Sequence, residues 1–113
     1  MKAVTKIVIL DDNGDKFFGE GPARLMHGIE ETGSLRGAAM SMGMAYTKAL
    51  KLITNAENAL GFQLTERITG GNKGGGSRIT PKGKEWLTKY ENYRDACKAA
   101  NENLYLEFFQ EQR

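Results

Sequence analysis

The sequence predicts a mainly α-helical α+β fold: a winged helix-turn-helix with an N-terminal β-hairpin and a long C-terminal dimerisation helix. Three observations predict it. Three helical patterns follow one another between residues 22 and 60, a glycine-rich segment flanked by strand-like residues comes next, and a helical pattern at residues 82–109 ends the chain. With 113 residues, 40% of them hydrophobic, the chain suits one domain, 1–113, and leaves no room for a second.

The first predicted element is the β-hairpin. Val4–Leu10 is β-branched and apolar, a turn cluster with an Asn-Gly pair follows, and Lys16–Phe18 resumes an extended pattern. Pro22 then suits the first turn of a helix that ends near Gly33.

Two further helices are predicted after Gly33. Ser34 is a favourable N-cap for a short helix from Leu35 to about Met42, and Gly43 ends it. The third helix, about 45–60, carries its apolar residues at helical spacing. A helix-turn-helix requires a small residue where the helices cross and a glycine-like residue at the turn, and Ala39 and Gly43 meet these requirements.

The face of the third helix opposite its apolar residues carries side chains suited to reading a DNA groove: Tyr46, Thr47, Lys48, Lys51 and Asn55. Residues at the start of a recognition helix reach base edges, so we expect the first three on bases and Lys51 on a base or phosphate. Ser34 has two interpretations, a helix cap alone or a phosphate contact as well. The polar face also fits an ordinary solvated helix, but the hairpin that follows favours DNA binding.

That hairpin is the predicted wing, spanning residues 68–77. The extended runs Gln63–Ile68 and Ser77–Thr80 enclose its glycine-rich tip. Glycines there let backbone N–H groups approach phosphate oxygens closely. The side chains expected to contact phosphates are Arg67, Asn72, Lys73 and Arg78.

The charge distribution supports a polyanionic partner. Residues 33–84 carry 8 basic and 2 acidic side chains, whereas residues 1–32 and 85–113 each carry 4 basic and 6 acidic ones. Phosphate contacts supply most of the non-specific affinity for nucleic acid, so the basic centre is the expected binding surface. Uneven charge is common in proteins, however, so it supports nucleic-acid binding only together with the motifs.

A phosphate-binding enzyme is the alternative interpretation of the glycines, and the spacing disfavours it. A P-loop has Gly-Lys-Ser/Thr leading into a helix, whereas Lys73 precedes the last glycines and Ser77 leads into an extended segment. One histidine, His27, and one cysteine, Cys97, provide no evident nucleophile–base pair and no multi-cysteine metal site. We therefore predict no enzyme, no cofactor and no metal. No apolar run reaches the roughly 18 residues of a membrane span, so a cytoplasmic protein is expected.

The last helix carries an apolar stripe at heptad spacing: Trp86, Tyr90, Tyr93, Cys97, Ala100 and Leu104. A stripe this long predicts a homodimer, although packing on the chain's own domain remains an alternative for Trp86 and Tyr90. A two-fold dimer would read double-stranded DNA at a pseudo-palindromic operator.

The segment Leu60–Arg67, the glycine-rich tip and Arg78–Gly83 resemble the end of the DNA-binding domain in LysR-type regulators. The segment Glu66–Gly76 is similar to the wing of ModE-like molybdate-dependent transcriptional regulators. Their helix-turn-helix also begins with a pair such as Gly33-Ser34. The resemblance covers about residues 17–88 and implies a winged-helix dimer.

DNA contacts implied by the resemblance fall on Ser34, Tyr46, Thr47, Lys48, Lys51, Arg67, Lys73 and Arg78. The resemblance does not imply molybdate binding, because the family's oxyanion-binding domain follows the long helix, and we expect this chain to lack it. Three modes of regulation stay open: regulation without an effector, sensing through a partner, and a ligand pocket at the dimer seam. Non-specific architectural DNA binding and a protein-interaction module are the alternatives to a sequence-specific regulator.

Overall fold

The computed structural model describes residues 1–69 and 75–110. In chain order its elements are β1 (Ile9–Leu10), β2 (Lys16–Phe18), α1 (Glu20–Thr32), α2 (Leu35–Ser41), α3 (Tyr46–Leu60), β3 (Thr65–Ile68), β4 (Gly76–Ile79) and α4 (Pro81–Phe109). This mainly helical order, with a hairpin after the third helix and a long last helix, confirms the predicted fold class. No helix within the described ranges is both long and apolar enough to cross a bilayer.

The N-terminal hairpin forms, but its first strand is shorter than predicted. Only Ile9–Leu10 pairs with β2, in antiparallel register with Ile9 opposite Phe18. Residues before Ile9 contact α4 instead: the Tyr90 hydroxyl donates to the Ile7 carbonyl at 2.8 Å, and Asn101 Nδ2 donates to Thr5 Oγ1 at 2.6 Å. Polar groups of α4 therefore bind this segment where the sequence pattern had suggested a longer strand.

Helix α1 begins at Glu20, two residues before the predicted start at Pro22. Proline is tolerated at this third helical position because the first N–H groups of a helix have no intrahelical partner to lose. The helix ends at Gly33, whose φ of +80° is the left-handed conformation that glycine adopts without strain.

Helices α1 and α2 pack closely at a glycine that the sequence pattern did not single out. A Cβ atom on Gly28 would lie 2.7 Å from the Ala38 Cβ, so a larger residue would require the two helices to shift apart. Ala39 is also buried, and Gly43 turns the chain toward α3 with a φ of +63°. The core beneath these helices is formed by large buried side chains: Phe18, Leu25, Met26, Ile29, Ile53, Leu64 and Leu87.

The wing is held against the turn between α1 and α2. Strands β3 and β4 pair antiparallel, from Thr65 opposite Ile79 to Ile68 opposite Gly76. The Ser77 N–H donates to the Gly33 carbonyl at 2.8 Å, and a Cβ on Gly76 would lie only 2.5 Å from that oxygen. The base of the wing and the start of the helix-turn-helix are thus fixed to each other.

Helix α4 changes its packing along its length. Its first part buries Gly83, Leu87 and Tyr90, whereas no residue from 91 to 110 is buried. Trp86 packs against Phe18 with the ring centroids 5.5 Å apart, and Tyr90 packs on the same ring at 4.9 Å. Trp86 and Tyr90, predicted as the start of a dimer seam, therefore pack within their own domain.

Candidate nucleic-acid interface

The two faces of α3 differ in burial as the sequence predicts. Ala49, Ile53 and Ala56 are buried in the core. On the other side Thr47, Lys48, Lys51 and Asn55 are exposed. Four of the five predicted groove-reading side chains are therefore presented to solvent along one side of the helix.

Tyr46, the fifth, is half-buried at the first position of α3 and packs against the core. A cation lies over its ring: the Arg36 Cζ atom is 4.4 Å from the ring centroid. Arg36 belongs to α2 and was not among the predicted site residues. One signal was available, because Arg36 lies in the first turn of α2, where the helix dipole disfavours a positive charge.

Ser34 caps α2. Its Oγ accepts the Gly37 N–H at 2.8 Å, so the capping role proposed from the sequence is present in the structure. The side chain is half-buried and borders the surface between α2, α3 and the wing.

A surface cavity of about 730 Å³ opens between these three elements. Its walls bring together residues that are far apart in sequence: Ser34, Arg36, Tyr46, Leu50, Arg67 and Ser77. Residues of α2, α3 and the wing thus share one concave face.

The wing residues have unequal electrostatic surroundings. Arg67 is exposed. Arg78 Nε donates to the Glu66 Oε1 at 2.7 Å, in an ion pair between directly opposed residues of β3 and β4. An ion pair this exposed is worth only about 0–1 kcal/mol, so a phosphate can replace the carboxylate. Asn72 and Lys73, also predicted phosphate contacts, lie outside the described residues.

Glu57, the other acidic residue of the basic centre, connects α3 to the wing. Its Oε2 accepts the backbone N–H groups of Leu64 at 2.8 Å and Thr65 at 3.3 Å. These bonds fix the chain where it leaves α3 and enters β3, so this carboxylate has a positioning role within the protein.

The remaining predicted dimer residues lie on the outer part of α4. Tyr93 and Leu104 are 54% and 51% exposed, Ala100 is exposed and Cys97 is half-buried. The heptad spacing did not include the apolar end of the helix, where further large side chains are exposed: Leu106, Phe108 and Phe109.

The described residues contain no group of three or more histidine, cysteine, aspartate or glutamate side chains placed to hold a metal ion. His27 lies between two carboxylates, with Nδ1 3.3 Å from Glu30 and Nε2 2.9 Å from Glu91, which joins α1 to α4. This histidine is a structural link on the side of α1 that faces α4.

Comparison with known proteins agrees with this geometry. Residues 23–84 match the family described as bacterial regulatory helix-turn-helix protein, lysR family. The chain is 41% identical over 63 residues to "Molybdenum transport protein ModE" of Herbaspirillum seropedicae, which covers 56% of this chain and 23% of that protein.

Two other relatives are more distant. The chain is 31% identical over 85 residues to "Molybdenum transport protein ModE" of Azotobacter vinelandii, covering 72% of this chain and 32% of that protein. It is 31% identical over 83 residues to "Molybdenum-pterin-binding protein MopB" of Rhodobacter capsulatus, covering 74% of this chain and 30% of that protein. The chain thus spans at most 32% of the length of these relatives.

Proposed function

Since this chain belongs to the bacterial regulatory helix-turn-helix proteins of the lysR family, we propose that it regulates transcription by binding a specific DNA sequence. In this proposal α3 enters the major groove and the wing, residues 68–77, lies on the DNA backbone or minor groove. The observation that carries it is the division of α3 into an exposed polar face and a buried opposite face, on a helix whose Tyr46 and Leu50 line a cavity together with the wing.

The contacts divide by their place on this surface. Tyr46, Thr47 and Lys48 form the first turn of α3, the part of a recognition helix that reaches base edges. Lys51 and Asn55 follow one and two turns later on the exposed side and reach a base or a phosphate. Phosphate contacts are assigned to residues around the helix-turn-helix entrance and the wing: Ser34, Arg67, Asn72, Lys73 and Arg78.

We further propose that residues 1–113 form one winged-helix domain that dimerises through the helix at 82–109. Support comes from the outer part of α4, where Tyr93, Leu104 and Phe108 expose large apolar surfaces. Because Trp86 and Tyr90 pack on Phe18 of their own domain, we place the seam on the outer part of α4. Two copies related by a two-fold axis would read half-sites about 34–36 Å apart, and hence a pseudo-palindromic operator.

Selection of bound duplexes from a random pool tests the DNA proposal. The protein should enrich one motif, and Lys48→Ala should bind the selected and scrambled duplexes more nearly alike, because a lost base contact removes discrimination. Lys98→Ala, which removes an equally exposed charge from the outer part of α4, is the matched control.

Equal binding of the wild type to selected and scrambled duplexes would favour a non-specific architectural DNA-binding protein. No binding of any duplex at low ionic strength would refute DNA binding. Because the names of the relatives concern molybdenum, the selection is run with and without molybdate.

Sedimentation tests the dimer. Leu104→Glu places a charge in the proposed seam and should yield monomers, whereas Asn103→Glu, at a neighbouring exposed polar position, should leave the dimer intact. A Leu104→Glu protein that sediments as the wild-type dimer would refute the seam.

A further inference from the structure

We propose that Arg36 is a further DNA-binding residue, which holds the Tyr46 ring at the start of the recognition helix and contacts a DNA phosphate with its guanidinium. The inference rests on the proposed function and deepens it by adding a specificity-determining residue. It is carried by the placement of Arg36 over Tyr46 in the cavity between α2, α3 and the wing.

The geometry is that of a cation–π pair. The Arg36 Cζ atom lies 4.4 Å from the Tyr46 centroid, well inside the limit of about 6 Å for such pairs. Arg36 is exposed on α2, whereas Tyr46 is half-buried and anchored on the core. The two residues belong to different helices, so their contact spans the turn of the helix-turn-helix and limits how the ring can rotate.

The guanidinium has no competing acidic partner among residues 1–69 and 75–110, where it makes neither an ion pair nor a side-chain hydrogen bond. Two other arginines there are engaged, Arg78 with Glu66 and Arg94 with Glu20. Arginine has five N–H donors in one plane, so a guanidinium that lies over a ring keeps donors for a further acceptor.

The position of Arg36 in the fold points to phosphate as that acceptor. Arg36 is the second residue of α2, and its exposed side chain borders the cavity between α2, α3 and the wing. In a helix-turn-helix the first helix crosses the DNA backbone while the second enters the groove, which brings phosphate to α2 and bases to Tyr46.

Two substitutions separate charge from stacking. Arg36→Ala removes both, so the slope of log affinity against log salt should fall by about one, and the preference for the selected over the scrambled duplex should fall about tenfold. Arg36→Lys keeps the charge but loses the planar group, so the salt slope should stay near that of the wild type while the preference falls as in Arg36→Ala.

A double-mutant cycle tests positioning. If Arg36 acts on base preference through Tyr46, Arg36→Ala should lower the salt slope but cost no further preference in a Tyr46→Ala background. Arg24→Ala, an exposed arginine of α1 outside the cavity, is the control and should leave the preference unchanged. Thermal unfolding of each variant verifies that the substitutions leave the fold intact.

The outcomes are distinguishable. A wild-type protein without sequence preference overturns the proposed function and this inference with it. This inference alone is overturned if the wild type prefers the selected duplex and the Arg36→Ala variant keeps the same preference and the same salt slope. Additive losses of preference in the double variant would overturn the positioning role of Arg36.

Discussion

The inner part of α4, residues 81–90, and its outer part, residues 91–109, are one continuous helix with two kinds of packing. The inner part buries Leu87 completely and Tyr90 almost completely against the helix-turn-helix and the hairpin. The outer part buries no residue and exposes Leu104 at 51% and Phe108 at 76%. Backbone hydrogen bonds continue a helix regardless of what covers it, so helical continuity alone does not show where the domain core ends.

The two parts of α4 therefore have different roles: the inner part stabilises the fold of one chain, and in our proposal the outer part serves assembly with a second copy. Inner residues pack on the hairpin, where Trp86 and Tyr90 contact Phe18, so they stabilise the fold of their own chain. Outer apolar residues contribute little to the core of their own chain, and in our proposal they stabilise a second copy instead.

The same substitution in the two parts of α4 should have unequal costs. Leu87→Ala should lower the free energy of unfolding by about 2–5 kcal/mol, because it leaves a cavity in the core. Leu104→Ala should change it by less than about 0.5 kcal/mol in the monomer. Urea unfolding at protein concentrations low enough to dissociate a dimer measures both. Equal losses would contradict the difference between the two parts.

The crossing of α1 and α2 should be sensitive to one methyl group. Gly28→Ala should lower the free energy of unfolding by about 1–3 kcal/mol, because its Cβ would meet Ala38 at 2.7 Å. Gly21→Ala in the same helix is the matched control, since its Cβ has nothing nearer than Leu52 Cδ1 at 3.9 Å. Thermal unfolding compares them. A Gly28→Ala protein as stable as the control would show that the helices separate without cost.

Attachment of the wing should depend on Gly76. Gly76→Ala places a Cβ 2.5 Å from the Gly33 carbonyl oxygen, so the hydrogen bond from the Ser77 N–H should break, with a loss of about 1 kcal/mol. Hydrogen exchange at the Ser77 amide should then accelerate. Ser77→Ala keeps that amide and is the control. Unchanged exchange in Gly76→Ala would contradict the attachment.

Alkaline pH should weaken the inner packing of α4 modestly through Tyr90. Burial, followed by the charge of Glu20, raises the pKa of the Tyr90 hydroxyl above its ordinary value of 10.0. The unfolded chain therefore loses this proton first, and stability that is complete below about pH 10 falls as the pH rises toward the raised pKa. Tyr90→Phe should reduce this decline in urea midpoints. Parallel curves for the two proteins would contradict it.

Much of the fold was predictable because its signals are local. Ser34 caps α2 through a bond to Gly37, three residues away, and Thr80 caps α4 through a bond to Gly83. Gly33 and Gly61 end their helices in the left-handed conformation. Each signal depends on neighbours within one helical turn, so the sequence shows it directly.

Predictions that needed distant partners were incomplete. The strand proposed at 4–10 shortens because Thr5 and Ile7 find hydrogen-bond partners on α4. Trp86 and Tyr90 continue the heptad spacing, but rings of the hairpin cover them. Spacing along a helix shows which residues share a face and does not show what packs on that face.

The sequence by itself determined the order of elements, the basic centre and the polar face of α3, because helical periodicity, caps and charge counts are properties of neighbouring residues. Only the tertiary structure decided that Arg36 lies over Tyr46, that Glu57 binds the amides at the start of the wing, and that Gly76 meets the Gly33 carbonyl. Those contacts join residues 7 to 43 positions apart. They exist because packing of the core brings the helices and the wing together, a geometry that no local pattern encodes.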